Sequence, residues 1–292
     1  MKNAICLSGQ PRIINEIYDN HKQILSSADA DLHIHGWWSN DHKGKTKLFH
    51  STEKFSHEDM SEVYINLYKP STYHFEEYKD FDLTFCKGHD YSAWENCSQK
   101  HYDIFTPSLL YGQLSQSQSV KESVYLAIRK KDYRLIVRSR PDVVYTKDLN
   151  LIISLLEPKE DVIYFQSSMS GGHRYGGEFP NNPCDWFFTG SPNAMKKFVD
   201  SWHTVIKNYY STGVKHTRDT MRRIADYASI KIELVDFGVI VYRQLIQNTS
   251  HRDVNLYYEE FNSETLSIIK NHEEWPHWHT KIDFYFLKGK NE

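Results

Sequence analysis

The sequence predicts an α/β fold, with a mostly parallel central sheet flanked by helices. Three observations carry that expectation. The first 38 residues run strand, loop, helix, strand, the order that connects a parallel pair. Short apolar runs of strand length return downstream, between segments of helical periodicity. The chain is 39% hydrophobic and 14% aromatic over 292 residues, enough apolar surface for a sizeable core. A single domain over residues 1–292 is expected, divided near residue 150.

"AICLSG" is a short apolar strand. In "QPRIINEIYDNHKQILSSA", Ile13, Ile14, Ile17, Ile24 and Leu25 recur at helical spacing, and "DADLHIHGWW" returns to a strand. Residues 40–60 are polar and read as a surface insertion. "VYINLYKPSTYHFEEY" alternates loosely and breaks at Pro70, with a third strand near Thr72 to Phe75. Residues 79–106 are irregular. A long helix follows in "PSLLYGQLSQSQSVKESVYLAIRKKD". Leu110, Leu114, Ser117, Val124 and Ile128 share one face, Pro107 and Ser108 suit its start, and Arg129 to Lys131 suit its negative end. Gln113, Ser117 and Ser119 interrupt the apolar stripe. Either they are solvated side positions, or Gln113 and Ser117 meet a polar ligand over the helix's first half.

"LIVRS", "DVIYFQS" and "WFFTG" read as further strands. Between the last two, "SMSGGHRYGGEFPNNPCD" holds four glycines, so Ser170 to Pro183 are expected to form a mobile lid. "SPNAMKKFVDSWHTVIKNYY" predicts a helix with Ser191 as N-cap and Pro192 in its first turn. A helix from about Thr217 to Tyr227 and the strands "IKIELVDF" and "GVIVYRQ" complete the pattern.

Formal charge is −3, from 35 basic and 38 acidic residues, which argues against long nucleic acid as a partner. The four cysteines, Cys6, Cys86, Cys97 and Cys184, have no metal-ligand spacing. The opening residues carry no signal-peptide pattern, and no apolar run reaches membrane-spanning length. A cytoplasmic chain with reduced thiols is expected.

Four constellations carry candidate chemistry. In "RSRPD", Arg138, Arg140 and Asp142 follow a buried strand directly. In open α/β sheets the carboxyl ends of strands are where ligands bind. Guanidinium groups there clamp phosphate oxygens, and a carboxylate holds a divalent cation. An Arg–Asp pair that closes the loop is the plainer alternative. As a ligand residue, Asp142 is expected to be replaceable with folding largely intact. The second constellation is Ser8, Gly9, Gln10 and Arg12, in the turn after the first strand. There an anion-binding loop and simple turn chemistry compete. The third is Asp185 beside the glycine-rich loop, a candidate general base, with Asp219 at the start of the "TRDTMRRI" helix as second choice. The fourth is the tail "HEEWPHWHT", where His277 and His279 are candidate metal ligands alongside Asp142. His33 and His35 alternate on one strand face with Asp31. They form either a polar rim of a site or a satisfied interior network.

Taken together, "CLSGQPR", "DLHIHGW", the helix before "VRSRPDVVY", and "DWFFTGSPNAM" resemble a sugar-nucleotide-dependent glycosyltransferase of the GT-A kind. More narrowly, they resemble the bacterial and viral surface-polysaccharide enzymes related to the WavE lipopolysaccharide-synthesis family. The resemblance covers most of residues 1–200. It implies a GT-A-like, Rossmann-like sheet with a loop-rich acceptor side. Residues 1–150 would bind the nucleotide sugar and 151–292 the acceptor. The implied partners are a nucleotide-sugar donor and a glycan acceptor, with peripheral contact to a membrane-bound acceptor. "RSRPD" stands where many such enzymes carry Asp-x-Asp, which holds Mn or Mg against the donor diphosphate. Here the first acidic position is Arg140 and only Asp142 remains. Arg140 would then supply part of the positive charge, and Asp142 would meet donor hydroxyls. A sulfotransferase and a non-catalytic carbohydrate- or nucleotide-binding protein are the rival classes.

Overall fold

A computed structural model describes residues 1–11, 18–22, 29–38, 59–77, 81–82, 107–145, 147–167, 183–211, 220–235 and 237–241. Nine strands are described: β1 (Asn3–Gly9), β2 (Ala30–Trp37), β3 (Thr72–Glu76), β4 (Ile136–Ser139), β5 (Val143–Tyr145), β6 (Val162–Ser167), β7 (Pro183–Gly190), β8 (Lys231–Val235) and β9 (Val239–Val241). The helices are α1 (Met60–Tyr68), α2 (Pro107–Lys130), α3 (Leu149–Leu155), α4 (Pro192–Ser211) and α5 (Thr220–Tyr227), with a helical turn at residues 18–22.

Seven strands form one sheet in the order β3-β2-β1-β4-β7-β6-β8. Six of them run the same way, and only β7 is antiparallel to its neighbours. The expected mostly parallel α/β sheet is therefore present, as a mixed sheet. β5 and β9 make a separate antiparallel pair, so the second half of "RLIVRSRPDVVY" leaves the main sheet at Pro141.

The chain builds β1, β2 and β3 outward in one direction, then crosses back to lay β4 on the other side of β1. That reversal is a topological switch point at the carboxyl ends of β1 and β4, the place where open α/β sheets bind ligands. Gly9 ends β1 there with φ of +134°, a backbone conformation that side chains disfavour, and an added Cβ would lie 3.5 Å from Pro141.

One face of the sheet packs against α2, α4 and α5, with Ala4, Cys6, Ile136, Phe165, Phe188, Phe198, Trp202 and Ile224 in its core. The other packs Ile5, Leu7, Ile34 and Val137 against α1, α3, β5 and β9. Helix α4 follows its sequence signals: Ser191 accepts the Ala194 amide at 3.2 Å, and Met195, Phe198, Val199, Trp202 and Ile206 are all buried.

Two expectations need correction. The "VYINLY" part of the loosely alternating stretch belongs to α1, N-capped by Asp59, which accepts the amides of Ser61 at 3.0 Å and Glu62 at 3.3 Å. The cap and the burial of Met60, Tyr64 and Tyr68 along one side decide for the helical period over the strand period. The serines of α2 are also not solvated: Ser115, Ser117, Ser119 and Ser123 are all buried. Their small side chains let α2 lie closely between the sheet and α4. Ser117 and Ser123 satisfy their own hydroxyls on the carbonyls of Leu114 at 2.8 Å and Val120 at 2.9 Å.

The turn at residues 18–22 is tied to the segment after β4. Asn20 pairs both its amide oxygen and nitrogen with the backbone of Tyr145, at 2.8 and 2.9 Å. His21 lies 2.7 Å from the Val143 carbonyl and 2.8 Å from the Tyr68 hydroxyl. A carbonyl only accepts, so Nε2 carries the hydrogen and Nδ1 accepts from Tyr68. Burial pulls His21 down to about 4, against the smaller opposing effects of the Val143 carbonyl and Asp142. Among the described residues, no helix is long and apolar enough to cross a membrane.

The lowered pKa of His21 sets a pH dependence. Between about 6.5 and 4 the unfolded chain binds a proton at His21 that the fold excludes. Its contribution is therefore complete above 6.5 and falls as pH drops towards 4, by about 3 kcal/mol. Denaturant unfolding at a series of pH values should show this slope, and a His21→Asn variant should flatten it. An equal slope in both proteins would remove His21 from the account.

Candidate functional site

The carboxyl ends of β1 and β4 gather Arg138, Arg140, Asp142 and Asp185, with uncharged Ser8 from β1 and Gln116 from α2 beside them. Arg138 is the innermost, only 1% exposed. Strand pairing sets it opposite Cys6 of β1 and Phe188 of β7. Its Nε donates to the Ser8 hydroxyl at 2.9 Å, Nη1 donates to the Asp185 carbonyl, and the guanidinium lies 5.6 Å from the centre of the Phe188 ring. All three partners are neutral groups. Burial draws the Arg138 guanidinium down to about 10, which the Asp185 carboxylate opposes and neighbouring Arg140 reinforces.

Arg140 leaves the end of β4 with its amide bonded to the Trp186 carbonyl at 3.1 Å. Its Nε and Nη2 meet the two oxygens of Asp142 at 2.7 Å each, a bidentate pair. Asp142 is 2% exposed and Arg140 21%. Burial alone would lower Arg140, yet Asp142 and then Asp185 hold it above the ordinary guanidinium value. The pair is thus the loop-closing arrangement, and both Asp142 oxygens face a guanidinium. The sequence leads one to expect folding largely intact without Asp142, whereas its burial and bidentate pairing give it a structural contact to lose.

Asp185 enters from β7. Because β7 is antiparallel, its first residues arrive at the same edge where β1 and β4 end. The Asp185 side chain is half-buried, and Oδ2 accepts from Nε2 of Gln116 on α2. Ser8 and Gly9 stand at the carboxyl end of β1, with Gln10 next in the chain. Arg12, Asp219, His277, His279 and residues 170–182 of the expected lid lie outside the described residues.

The two expected ligand residues on α2 separate. Ser117 is buried in the helix–helix core, 3.4 Å from His203 of α4. Gln113 is half-buried on the same helix, and it is Gln116, three residues further on, that engages Asp185. Sequence reasoning missed Gln116. The signal was its helical spacing from Gln113, which carries a polar face along α2 towards the sheet edge.

The histidines of β2 form an interior network. His33 lies 2.7 Å from the Thr72 hydroxyl and 2.9 Å from that of Tyr133, which donates to Asp31 at 3.0 Å. His35 lies 2.9 Å from the Ser119 hydroxyl and 3.0 Å from Glu76. No protein-family model matches this chain, and no curated protein matches it.

Removing the Asp142 carboxylate would strand Arg140 half-screened from water. Asp142→Ala should destabilise the fold by about 2–4 kcal/mol, near the lower end for a broken buried pair because Arg140 keeps some solvent. The double variant Arg140→Met with Asp142→Leu should be more stable than Asp142→Ala alone, since no charge is left unpaired. Denaturant midpoints of the single and double variants measure this. A double variant weaker than Asp142→Ala would show that the charges themselves hold the loop.

Proposed function

We propose that this chain is a nucleotide-sugar-dependent glycosyltransferase, with the donor diphosphate at the carboxyl ends of β1 and β4. The observation that carries the proposal is Arg138. It is a guanidinium buried at the switch point whose hydrogen-bond partners are a hydroxyl and a main-chain carbonyl, beside the Asp185 carboxylate, where an arriving anion would add charge-assisted hydrogen bonds. Gly9 supports the same reading, since its side-chain-free backbone lets a ligand approach the end of β1. In this reading Ser8 and Gly9 line the floor. Arg138 and Arg140 stabilise the diphosphate as it leaves with the electron pair of the broken glycosidic bond.

Asp185 is the general base of the proposal. Gln116 occupies Oδ2, so Oδ1 is the oxygen turned to the acceptor. It takes the hydroxyl proton as the acceptor oxygen bonds to the anomeric carbon and the diphosphate departs, a single displacement with inversion. The surface-polysaccharide resemblance supports a glycan as the acceptor. Charge neutralisation by arginine takes over the part that a metal held by Asp142 would have played.

A thermal-shift series separates this function from its rivals. Stabilisation by nucleoside diphosphates and their sugar conjugates is the expected result. Stabilisation by adenosine 3′,5′-bisphosphate instead would indicate sulfotransfer, and no response to either would indicate a non-catalytic protein. Once an acceptor is known, Asp185→Asn should cut turnover by about 10²–10⁴-fold while donor affinity barely moves. Asparagine keeps an oxygen for Gln116, so folding should be retained. Lost donor affinity with unchanged turnover of the bound fraction would make Asp185 a donor contact instead.

A further inference from the structure

One strand out from Ser8, the sheet edge holds a second cluster that the proposed reaction does not use. His35 of β2 sits beside His74 of β3 in the strand register, and Glu76 follows His74 by two residues, so all three side chains share one sheet face. A ligand atom from each lies within 4.8 Å of the other two. The closest pair, Nε2 of His35 and Oε1 of Glu76, is 3.0 Å apart. In a tetrahedral zinc site with bonds of about 2.0–2.1 Å, neighbouring donor atoms lie about 3.3 Å apart. Two of the three are therefore already at ligand spacing. His74 is exposed, with its ring centre 5.4 Å from that of His35, and can turn to close the third side.

We propose that His35, His74 and Glu76 bind a divalent transition metal of the zinc class, with further coordination positions open to water or a ligand. Two imidazoles and one carboxylate suit zinc better than magnesium or manganese, whose preferred donors are oxygens. The supporting shell is built as well. Metal-bound histidines donate their second ring N–H to a fixed oxygen. Here Nδ1 of His35 lies 2.9 Å from the Ser119 hydroxyl, which accepts the ring N–H when it gives its own hydrogen to the His35 carbonyl 3.4 Å away. That orientation aims the Nε2 lone pair at a carboxylate oxygen, a contact between two acceptors that a shared cation makes favourable. His35 is fully buried, and the Trp37 ring, 5.2 Å away edge to face, holds its orientation. Glu76 is 13% exposed, so the site opens towards solvent through Glu76 and His74.

The competing arrangement has Ser119 donating to Nδ1 and Nε2–H donating to Glu76, a hydrogen-bonded pair without metal. Titration of the chelator-stripped full chain with Zn²⁺ against a chromophoric competitor distinguishes the two. One tight equivalent is expected. His74→Ala and Glu76→Gln should each weaken it at least tenfold, and Ser119→Ala by about 10–100-fold, as for other supporting oxygens. A His277→Ala, His279→Ala double variant should retain it, which separates this site from the histidine-rich tail. Since His74 is exposed, its variant should fold normally, and far-ultraviolet circular dichroism confirms that. Absence of a tight equivalent, binding unchanged by His74→Ala and Glu76→Gln, or loss in the tail variant would each overturn the proposal. The readout is metal binding alone, so it stands or falls apart from sugar transfer.

Discussion

The guanidinium of Arg138 is the constraint around which the edge of the sheet is arranged. It lies on the central strand β4, between β1 on one side and β7 on the other, and reaches both. A cation removed from water needs partners for its donors, and here a hydroxyl takes Nε–H and a main-chain carbonyl takes one Nη1–H. Those two bonds hold Ser8 and Asp185 at fixed positions relative to each other across three strands. An aromatic face, Phe188, closes the inner side of the guanidinium, and cation–π attraction adds to the hydrogen bonds.

The single antiparallel strand follows from the same geometry. A parallel strand brings only its last residues to the carboxyl edge of the sheet. A reversed strand brings its first residues there, so Asp185 and Trp186 meet the ends of β1 and β4. The Trp186 carbonyl accepts the Arg140 amide, while the Asp185 carbonyl accepts Arg138. The charged cluster is thus supported by main chain as much as by side chains. Main-chain acceptors move less than side chains do, so the cluster is held near one geometry before any ligand arrives.

Helix α2 solves a separate problem. It must cover strand β2, whose inward face carries His33, His35 and Trp37 instead of aliphatic residues. Serines on the helix allow a close approach, and their hydroxyls and carbonyls meet the polar rings. Ser119 meets His35, and the Ser115 carbonyl accepts the Trp37 indole at 3.2 Å. Burial pulls His33 down to about 4, with Asp31 opposing, so it is neutral in this network. The interior beneath the site is therefore hydrogen-bonded as well as apolar.

How much of this was legible in the sequence depended on the range of the forces involved. Strands β1 and β2, helices α2 and α4, and the Ser191 cap were all readable, because periodicity and capping act between residues a few positions apart. "RSRPD" could be read as charge at a strand's end for the same reason. The helix α1 was not legible because nine residues with an intermediate pattern fit both periods, and burial against the second face of the sheet decided between them. Ser117 and Gln116 are neighbours in the chain, yet one faces α4 and the other Asp185, and only the packing of α2 separates them. By itself, then, the sequence determined the α/β class, most element positions and the charge at the end of β4. The tertiary structure alone decided that β7 runs backwards and that Arg138 meets Ser8 and Asp185. It also decided that Asp142 serves Arg140 and that His35 stands beside His74 and Glu76. Each of these joins residues brought together by strand order and helix packing, which no short-range pattern encodes.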